Sequence, residues 1–196
     1  MLFEELGLHE KILRALKEMG YESPTEIQEK TLQAFSSGKH IVGQSQTWSG
    51  KTAAFLLPIL NAIDTSIREP QVLILAPTRE LAAQIRDEVV ELSKHMYMRS
   101  VSIFGGTSKR KQIDLLSKGP QILIGTPGRV QDLMEMRKIK PQSIKYFILD
   151  EVDRMLDMGF IDTIRQIWQR LDTVDQVMTF SATMPAELKW IISEYI

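Results

Sequence analysis

His40-Ile41-Val42-Gly43-Gln44-Ser45-Gln46-Thr47-Trp48-Ser49-Gly50-Lys51-Thr52-Ala53-Ala54-Phe55-Leu56-Leu57 is the stretch whose reading decides the fold. A short apolar run, His40 to Gly43, reads as a strand. A polar loop follows, and Gly50-Lys51-Thr52 then opens an apolar helix. Strand, loop and helix in that order, with Gly-Lys-Thr at the helix start, is the Walker A arrangement. Its chemistry rests on backbone N–H groups and a helix N-terminus, both suited to phosphate oxygens. Lys51 can reach the β- and γ-phosphates, and the Thr52 hydroxyl can coordinate Mg²⁺. Ser45 stands where the general pattern has its first glycine, so a plain strand-to-helix turn is the competing reading of these residues alone.

Outward from this loop the same alternation continues. Val72–Leu75, Val101–Phe104, Ile122–Ile124, Tyr146–Leu149 and Val177–Phe180 are short apolar runs of the kind expected of buried parallel strands. Between them, Leu81, Ile85, Val89 and Leu92 recur at helical spacing, and Ile12, Leu13, Leu16 and Met19 form a second stripe that stops at Gly20. Leu188, Ile191 and Ile192 suggest a last sheet-packing helix. Such alternation predicts an α/β fold, a doubly wound, mostly parallel sheet flanked by helices, with ligands at the strand C-terminal ends.

Composition narrows the function less. The chain has 196 residues, 43% hydrophobic and 25% charged, which suits one domain with a single core. Without cysteine it has no disulfide, thiolate metal site or thiol nucleophile. His9, His40 and His95 lie too far apart to read as a metal site. No apolar run approaches the roughly 20 residues that span a bilayer, and the N-terminus lacks the pattern of a signal peptide. A cytoplasmic location and no membrane partner are therefore expected. A net charge of −1 does not announce a nucleic-acid binder, so any such contacts must be local and directed at the backbone. Met155 and Met158 are expected to fill core gaps.

A phosphate loop needs an acidic partner at the tip of a neighbouring strand. Phe147-Ile148-Leu149-Asp150-Glu151-Val152-Asp153 supplies one. Asp150 can hold the Mg²⁺ shell, and Glu151 can orient or deprotonate an attacking water. Helix-capping acids at a strand-to-helix junction would look the same in isolation.

Taken together these residues resemble the DEAD-box helicases, over nearly the whole chain. Gly20-Tyr21-Glu22-Ser23-Pro24-Thr25-Glu26-Ile27-Gln28 resembles the family's Q motif, with Phe3 as its upstream aromatic. Asp150-Glu151-Val152-Asp153 resembles its DEAD motif, with valine for alanine, and Ser181-Ala182-Thr183 matches its coupling motif III. Pro77-Thr78-Arg79-Glu80-Leu81 resembles motif Ia, Gly105-Gly106 the glycine doublet, and Thr126-Pro127-Gly128-Arg129 motif Ib. The resemblance implies a RecA-like domain over residues 1–196, with 1–38 carrying adenine recognition and the second helicase domain absent. It implies an ATP pocket lined by Phe3, Tyr21, Thr25, Gln28 and the run Ser45, Gln46, Thr47, Trp48, Ser49, Gly50, Lys51 and Thr52. Gln28 would bond the adenine edge and Phe3 would stack on its face. A core anchor and a surface helix residue are the structural alternatives for Phe3 and Gln28.

Catalysis would fall to Lys51, Glu151 and Asp150, with Thr52 and Asp150 on Mg²⁺. Pro77, Thr78, Arg79, Gly105, Gly106, Thr126, Gly128 and Arg129 would bind the RNA backbone without reading bases. Lys109-Arg110-Lys111 reads better as a solvated helix face than as a phosphate site. The partners implied are RNA and a C-terminal RecA-like domain that brings arginine fingers, while the domain by itself is expected to be monomeric. Loss of such fingers costs roughly 10³–10⁵ in rate, so negligible hydrolysis is expected of this domain alone. Two other readings stay open at this point: a related DNA helicase, and a binding module with impaired catalysis. The last draws on Trp48, which stands where the family's loop has glycine. A side chain there could strain the loop or lie across the phosphate pocket.

Overall fold

The computed structural model describes residues 2–44, 50–183 and 193. A short 3₁₀ turn, Phe3–Leu6, leads into α1 (Glu10–Glu18) and α2 (Glu26–Ser36). Strand–helix alternation then begins: β1 (Ile41–Gln44), α3 (Lys51–Ala62), β2 (Val72–Leu75), α4 (Arg79–Leu92), β3 (Ser100–Ile103), α5 (Lys109–Leu116), β4 (Ile122–Gly125) and α6 (Pro127–Glu135). It ends with β5 (Tyr146–Leu149), α7 (Val152–Asp157), α8 (Ile161–Trp168) and β6 (Gln176–Ser181).

All six strands are parallel, in the order β1-β6-β5-β2-β4-β3. The expected strands are all present, shifted by no more than a residue or two at their ends. Because side chains alternate across a strand, β2 sends Val72 and Ile74 into one core and Leu73 and Leu75 into the other. The first core joins α1–α4 to the sheet, and the second is closed by α5–α8. A sheet covered on both faces needs continuous apolar strands, and β2 and β4 are buried throughout.

Two helix stripes differ in detail from the expected ones. On α4 the buried residues are Ala82, Ile85, Val89 and Leu92, with Leu81 only half-buried. On α1 they are Ile12, Ala15 and Leu16, and Leu13 and Met19 lie at the margin. α1 ends as expected at Gly20: Gly20 N–H bonds the Lys17 carbonyl and Tyr21 N–H the Leu16 carbonyl, the paired bonds of a Schellman cap. The Glu18 carboxylate ties this end of α1 to the end of α4. It accepts from Lys94 at 2.7 Å and His95 at 3.0 Å, and from Arg14 at 3.0 Å within α1. Those partners, Lys94 first, hold its pKa well below the usual carboxylate range.

α3 is buried from Ala53 to Leu60 and forms the centre of the first core. At the head of its loop, Gly43 meets the ring of Phe180 across the β1–β6 pair. A Cβ on Gly43 would fall 2.5 Å from that ring, which itself packs on Phe55 with centroids 5.3 Å apart. Met155 fills the second core as expected, whereas Met158 is about half exposed at the end of α7. The expected helix around Leu188, Ile191 and Ile192 lies outside the described residues.

Candidate active site

Parallel strands all deliver their C-terminal ends to one edge, and the sequence motifs follow those ends. β1 leads to the phosphate loop, β5 to Asp150, and β6 to Ser181-Ala182-Thr183. β2, β3 and β4 lead to Pro77-Thr78-Arg79, Gly105-Gly106 and Thr126 respectively. The strand order places the first three together on one half of the edge and the last three on the other.

On the first half, Lys51 and Asp150 meet. Lys51 Nζ lies 2.9 Å from Asp150 Oδ1, with side chains 9% and 1% exposed. They line a cavity of about 460 Å³ together with Tyr21, Gly50, Thr52 and Glu151. Lys51 is there because α3 begins at it, and Asp150 because β5 has just ended. Burial pushes the Asp150 carboxyl up in pKa, and the Lys51 ammonium opposes that push. A carboxylate this deep is tolerable only beside a cation. Its Oδ1 also accepts the Glu151 N–H at 2.9 Å. Its Oδ2 is buried and has no hydrogen-bond partner among the described residues. Glu151 itself has φ 51° and ψ 49°, a strained conformation for a non-glycine residue, and pairs with Arg154 at 3.3 Å.

Gln28 is fully buried, so it is not the surface helix residue of the structural alternative. Its Oε1 accepts the Thr25 N–H at 3.0 Å, and its Nε2 donates to the Gly50 carbonyl at 3.1 Å. The amide thereby ties the start of α2 to the last residue of the phosphate loop. Gly50 has φ 77°, and a Cβ there would meet Gln28 Nε2 at 2.7 Å, so both conformation and contact require glycine. Phe3 is buried in the first core, with its ring edge-on to Tyr21 at 6.4 Å. Ser45, Gln46, Thr47, Trp48 and Ser49 lie outside the described residues, and with them the reading of Trp48.

Motif III is fastened to the acidic motif. Thr183 donates through both its N–H and its hydroxyl to Asp153 Oδ2, each at 3.0 Å. Burial pushes Asp153 up, but these bonds, with one from the Arg154 N–H, outweigh it and leave its pKa below the ordinary value. Ser181 is buried, while Ala182 and Thr183 are exposed.

The second half of the edge is more open. Thr78 caps α4 by accepting the Leu81 N–H at 3.2 Å, and Pro77 is buried behind it. Arg79 is exposed and bonds Glu80 at 2.8 Å. Gly105 and Gly106 are exposed, and a Cβ on Gly106 would lie 3.1 Å from Arg79 Nη1, which brings β3 and β2 ends together. Thr126 is the N-cap of α6, with Pro127 in its first turn, so Pro127-Gly128 opens a helix rather than a turn. Gly128 is exposed, but the Arg129 side chain is only 14% exposed and bonds Gln112 at 3.2 Å. Lys109 pairs with Asp132 at 2.6 Å, while Arg110 and Lys111 lie exposed on α5.

Two cavity residues escaped the sequence reading. Gln84 and Glu88 line the nucleotide-side cavity with Leu81 and Ile85. Burial, and then the charge of Asp150, raise the Glu88 carboxyl to about 7. The signal was present as two polar residues inside the apolar spacing of α4.

Among the described residues there is no cluster of three or more His, Asp or Glu side chains that could cage a metal. The donor set is instead one buried carboxylate with a free oxygen, beside a threonine and a lysine. That is how Mg²⁺ is usually held, by one or two carboxylates and substrate phosphates. No helix of the described residues is long and apolar enough to cross a membrane.

A parallel α/β sheet with a helix-opening Lys-Thr facing a strand-tip aspartate defines a phosphate-loop nucleotide-binding domain. The DEAD/DEAH box helicase family model matches residues 25–191, and the chain belongs to that family. It is 46% identical over 191 residues to the ATP-dependent RNA helicase CshA of Limosilactobacillus reuteri, covering 97% of this chain and 38% of that protein. With the RNA helicase CrhR of Synechocystis it shares 42% over 194 residues, 99% of this chain and 39% of that one. The fold matches a crystal structure of a DEAD box protein from the hyperthermophile Methanococcus jannaschii with a TM-score of 0.96 and 38% identity. That match covers all of this chain and 54% of the other. The chain thus spans well under half the length of these curated relatives.

Proposed function

We propose that this chain is the ATP-binding domain of an ATP-dependent RNA helicase, which couples ATP hydrolysis to local separation of an RNA duplex. The observation that carries the reading is the buried 2.9 Å pair of Lys51 and Asp150 within one cavity. Each partner holds the place of a ligand: Asp150 that of a metal cation, Lys51 that of phosphate oxygens.

In this reading Lys51 turns from the carboxylate to the β- and γ-phosphates and neutralises their charge. Asp150, through its free Oδ2, and the Thr52 hydroxyl would hold Mg²⁺. A bound Mg²⁺ supplies positive charge to the phosphate oxygens when present. Glu151, kept at the strand tip by its left-handed backbone, orients the attacking water. Gln28 senses the site through Gly50 and offers its remaining amide proton and lone pair to adenine. Ser181, Ala182 and Thr183 relay the state of the acidic motif through Asp153 to RNA and to a second RecA-like domain. Pro77, Thr78, Arg79, Gly105, Gly106, Thr126, Gly128 and Arg129 form the RNA edge, where backbone amides and hydroxyls meet phosphates irrespective of sequence.

Calorimetric titration with ATP and Mg²⁺ tests the assignment. Weak binding is expected of the chain, and loss of it in Lys51→Ala and Asp150→Asn. Equal affinity in all three proteins would sink the reading. Strong RNA-stimulated hydrolysis by residues 1–196 alone would remove the need for a second domain.

A further inference from the structure

At the opposite edge of the sheet, where the strands begin, lies a feature that the motifs do not use. Three depressions of about 290, 230 and 390 Å³ run together there. The first two share Arg68 and Gly119, and the last two share Met96, Met98 and Arg99. They are built by the segments that lead into β2, β3, β4 and β5, so the groove crosses the foot of the sheet. Four-residue strands at about 3.3 Å per residue separate it by about 13 Å from the motif-bearing edge.

Its charge is one-sided. Among the described residues, Glu69 is the only acidic one lining the three depressions, and it is already paired with Lys140 at 2.7 Å. Arg68, Arg99, Lys118, Arg137 and Lys138 have no carboxylate within ion-pair distance among the described residues. Arg99 donates instead to the Lys118 carbonyl at 2.6 Å. Arg137 occupies left-handed backbone, φ 55°, at the end of α6, where glycine would be unstrained. In a chain of net charge −1, such a gathering is local rather than a reflection of composition.

In the middle of the groove stands Tyr97, 91% exposed, beside Arg68 and Arg99. A tyrosine ring left open to water among unpaired cations is the combination that binds single strands: cations follow the phosphates and the ring stacks a base. An acidic peptide would use the charges but leave the ring without a role. We infer that this groove is a second binding site for single-stranded RNA, independent of sequence and of nucleotide, with Tyr97 as its stacking platform and Arg68, Arg99, Lys118, Arg137 and Lys138 as its phosphate contacts. It would hold a flanking strand while the motif-bearing edge acts on the duplex.

The test is fluorescence anisotropy of a labelled ten-nucleotide uridine strand with the full 196-residue chain, without nucleotide, across a salt series. Tyr97→Ala is expected to weaken binding roughly tenfold. Arg68→Glu with Lys138→Glu is expected to weaken it further and to flatten the salt dependence by about 1.4 in log–log slope. Lys11→Glu, an exposed cation on α1 outside the groove, is expected to change neither. Ultraviolet crosslinking of the unmodified chain should mark the peptide that contains Tyr97. Crosslinks confined to Pro77–Glu80 and Thr126–Arg129 would overturn the inference, as would absence of RNA binding by the folded chain. So would equal weakening by Lys11→Glu, or displacement of RNA by polyglutamate with no effect of Tyr97→Ala. A DNA strand of the same length that binds equally well would overturn the restriction to RNA.

Discussion

The half of the sheet edge fed by β1, β6 and β5 buries its charges, whereas the half fed by β2, β4 and β3 leaves its polar groups near water. Lys51 and Asp150 are paired at 2.9 Å and almost wholly enclosed, but Arg79, Gly105, Gly106 and Gly128 are exposed. In the proposed function the difference follows from what each half would hold. A triphosphate is small and compact, so its partners would be enclosed and set in opposition. A nucleic-acid backbone is long and passes across a surface, so hydroxyls, backbone amides and one exposed arginine suffice. Removing a partner should therefore cost much on the first half and little on the second.

The largest effect is expected from Lys51→Ala, which leaves the buried Asp150 without its cation. Loss of about 3–5 kcal/mol of stability is expected for a broken buried pair, read by urea denaturation. A combined Lys51→Met and Asp150→Leu protein should recover most of that loss while remaining unable to bind nucleotide. A cost below 1 kcal/mol for the single variant would erase the contrast between the halves.

Next comes Glu88, whose carboxyl burial raises from 4.5 to about 7. A raised carboxyl is protonated in both folded and unfolded chains below pH 4.5, and there it imposes no penalty. Between pH 4.5 and about 7 the unfolded chain releases the proton first, so stability falls as pH rises through that window. Glu88→Gln should remove this dependence and, at pH 8, stabilise the protein by about 1–3 kcal/mol. Thermal melts at pH 4.5 and pH 8 measure it, and the same shift at both values would contradict the assignment.

Gln28→Ala should cost about 1–3 kcal/mol, because the two bonds of the buried amide, to the Gly50 carbonyl and from the Thr25 N–H, are lost. It should also lower nucleotide affinity by loosening the end of the loop. The smallest change is expected from Arg79→Ala on the open half. Its bond to Glu80 is a surface pair, worth about 0–1 kcal/mol, so melting should barely move while RNA affinity falls. If Arg79→Ala destabilised the fold as much as Gln28→Ala, burial would not be what separates the halves.

Much of this site was legible in the sequence, for identifiable reasons. Gly50-Lys51-Thr52 after a strand, and Asp150 at the end of another, are tied to backbone geometry: helix start and strand tip. Any parallel sheet brings such ends to one edge, so their meeting could be foreseen. Gln28 was recognised, but not its burial or its bond to Gly50, because the two residues stand 22 apart in the chain. Glu88 was passed over because an acid within an apolar stripe reads as the polar margin of a helix. The Met158 side chain was expected in the core, yet the end of α7 turns it outward. Tyr97 drew no notice, since one tyrosine between a helical stripe and a strand carries no periodic signal.

By itself the sequence determined the alternation of strands and helices and the residue types at the loop and the acidic tip, because local spacing and turn chemistry act over a few residues. Only the tertiary structure decided which strand neighbours which, and so that β6 and β5 stand between β1 and the half fed by β2, β4 and β3. It also decided which charges are buried and which cations gather at the foot of the sheet. Burial and long-range pairing depend on the whole packed core, and no short stretch of chain encodes them alone.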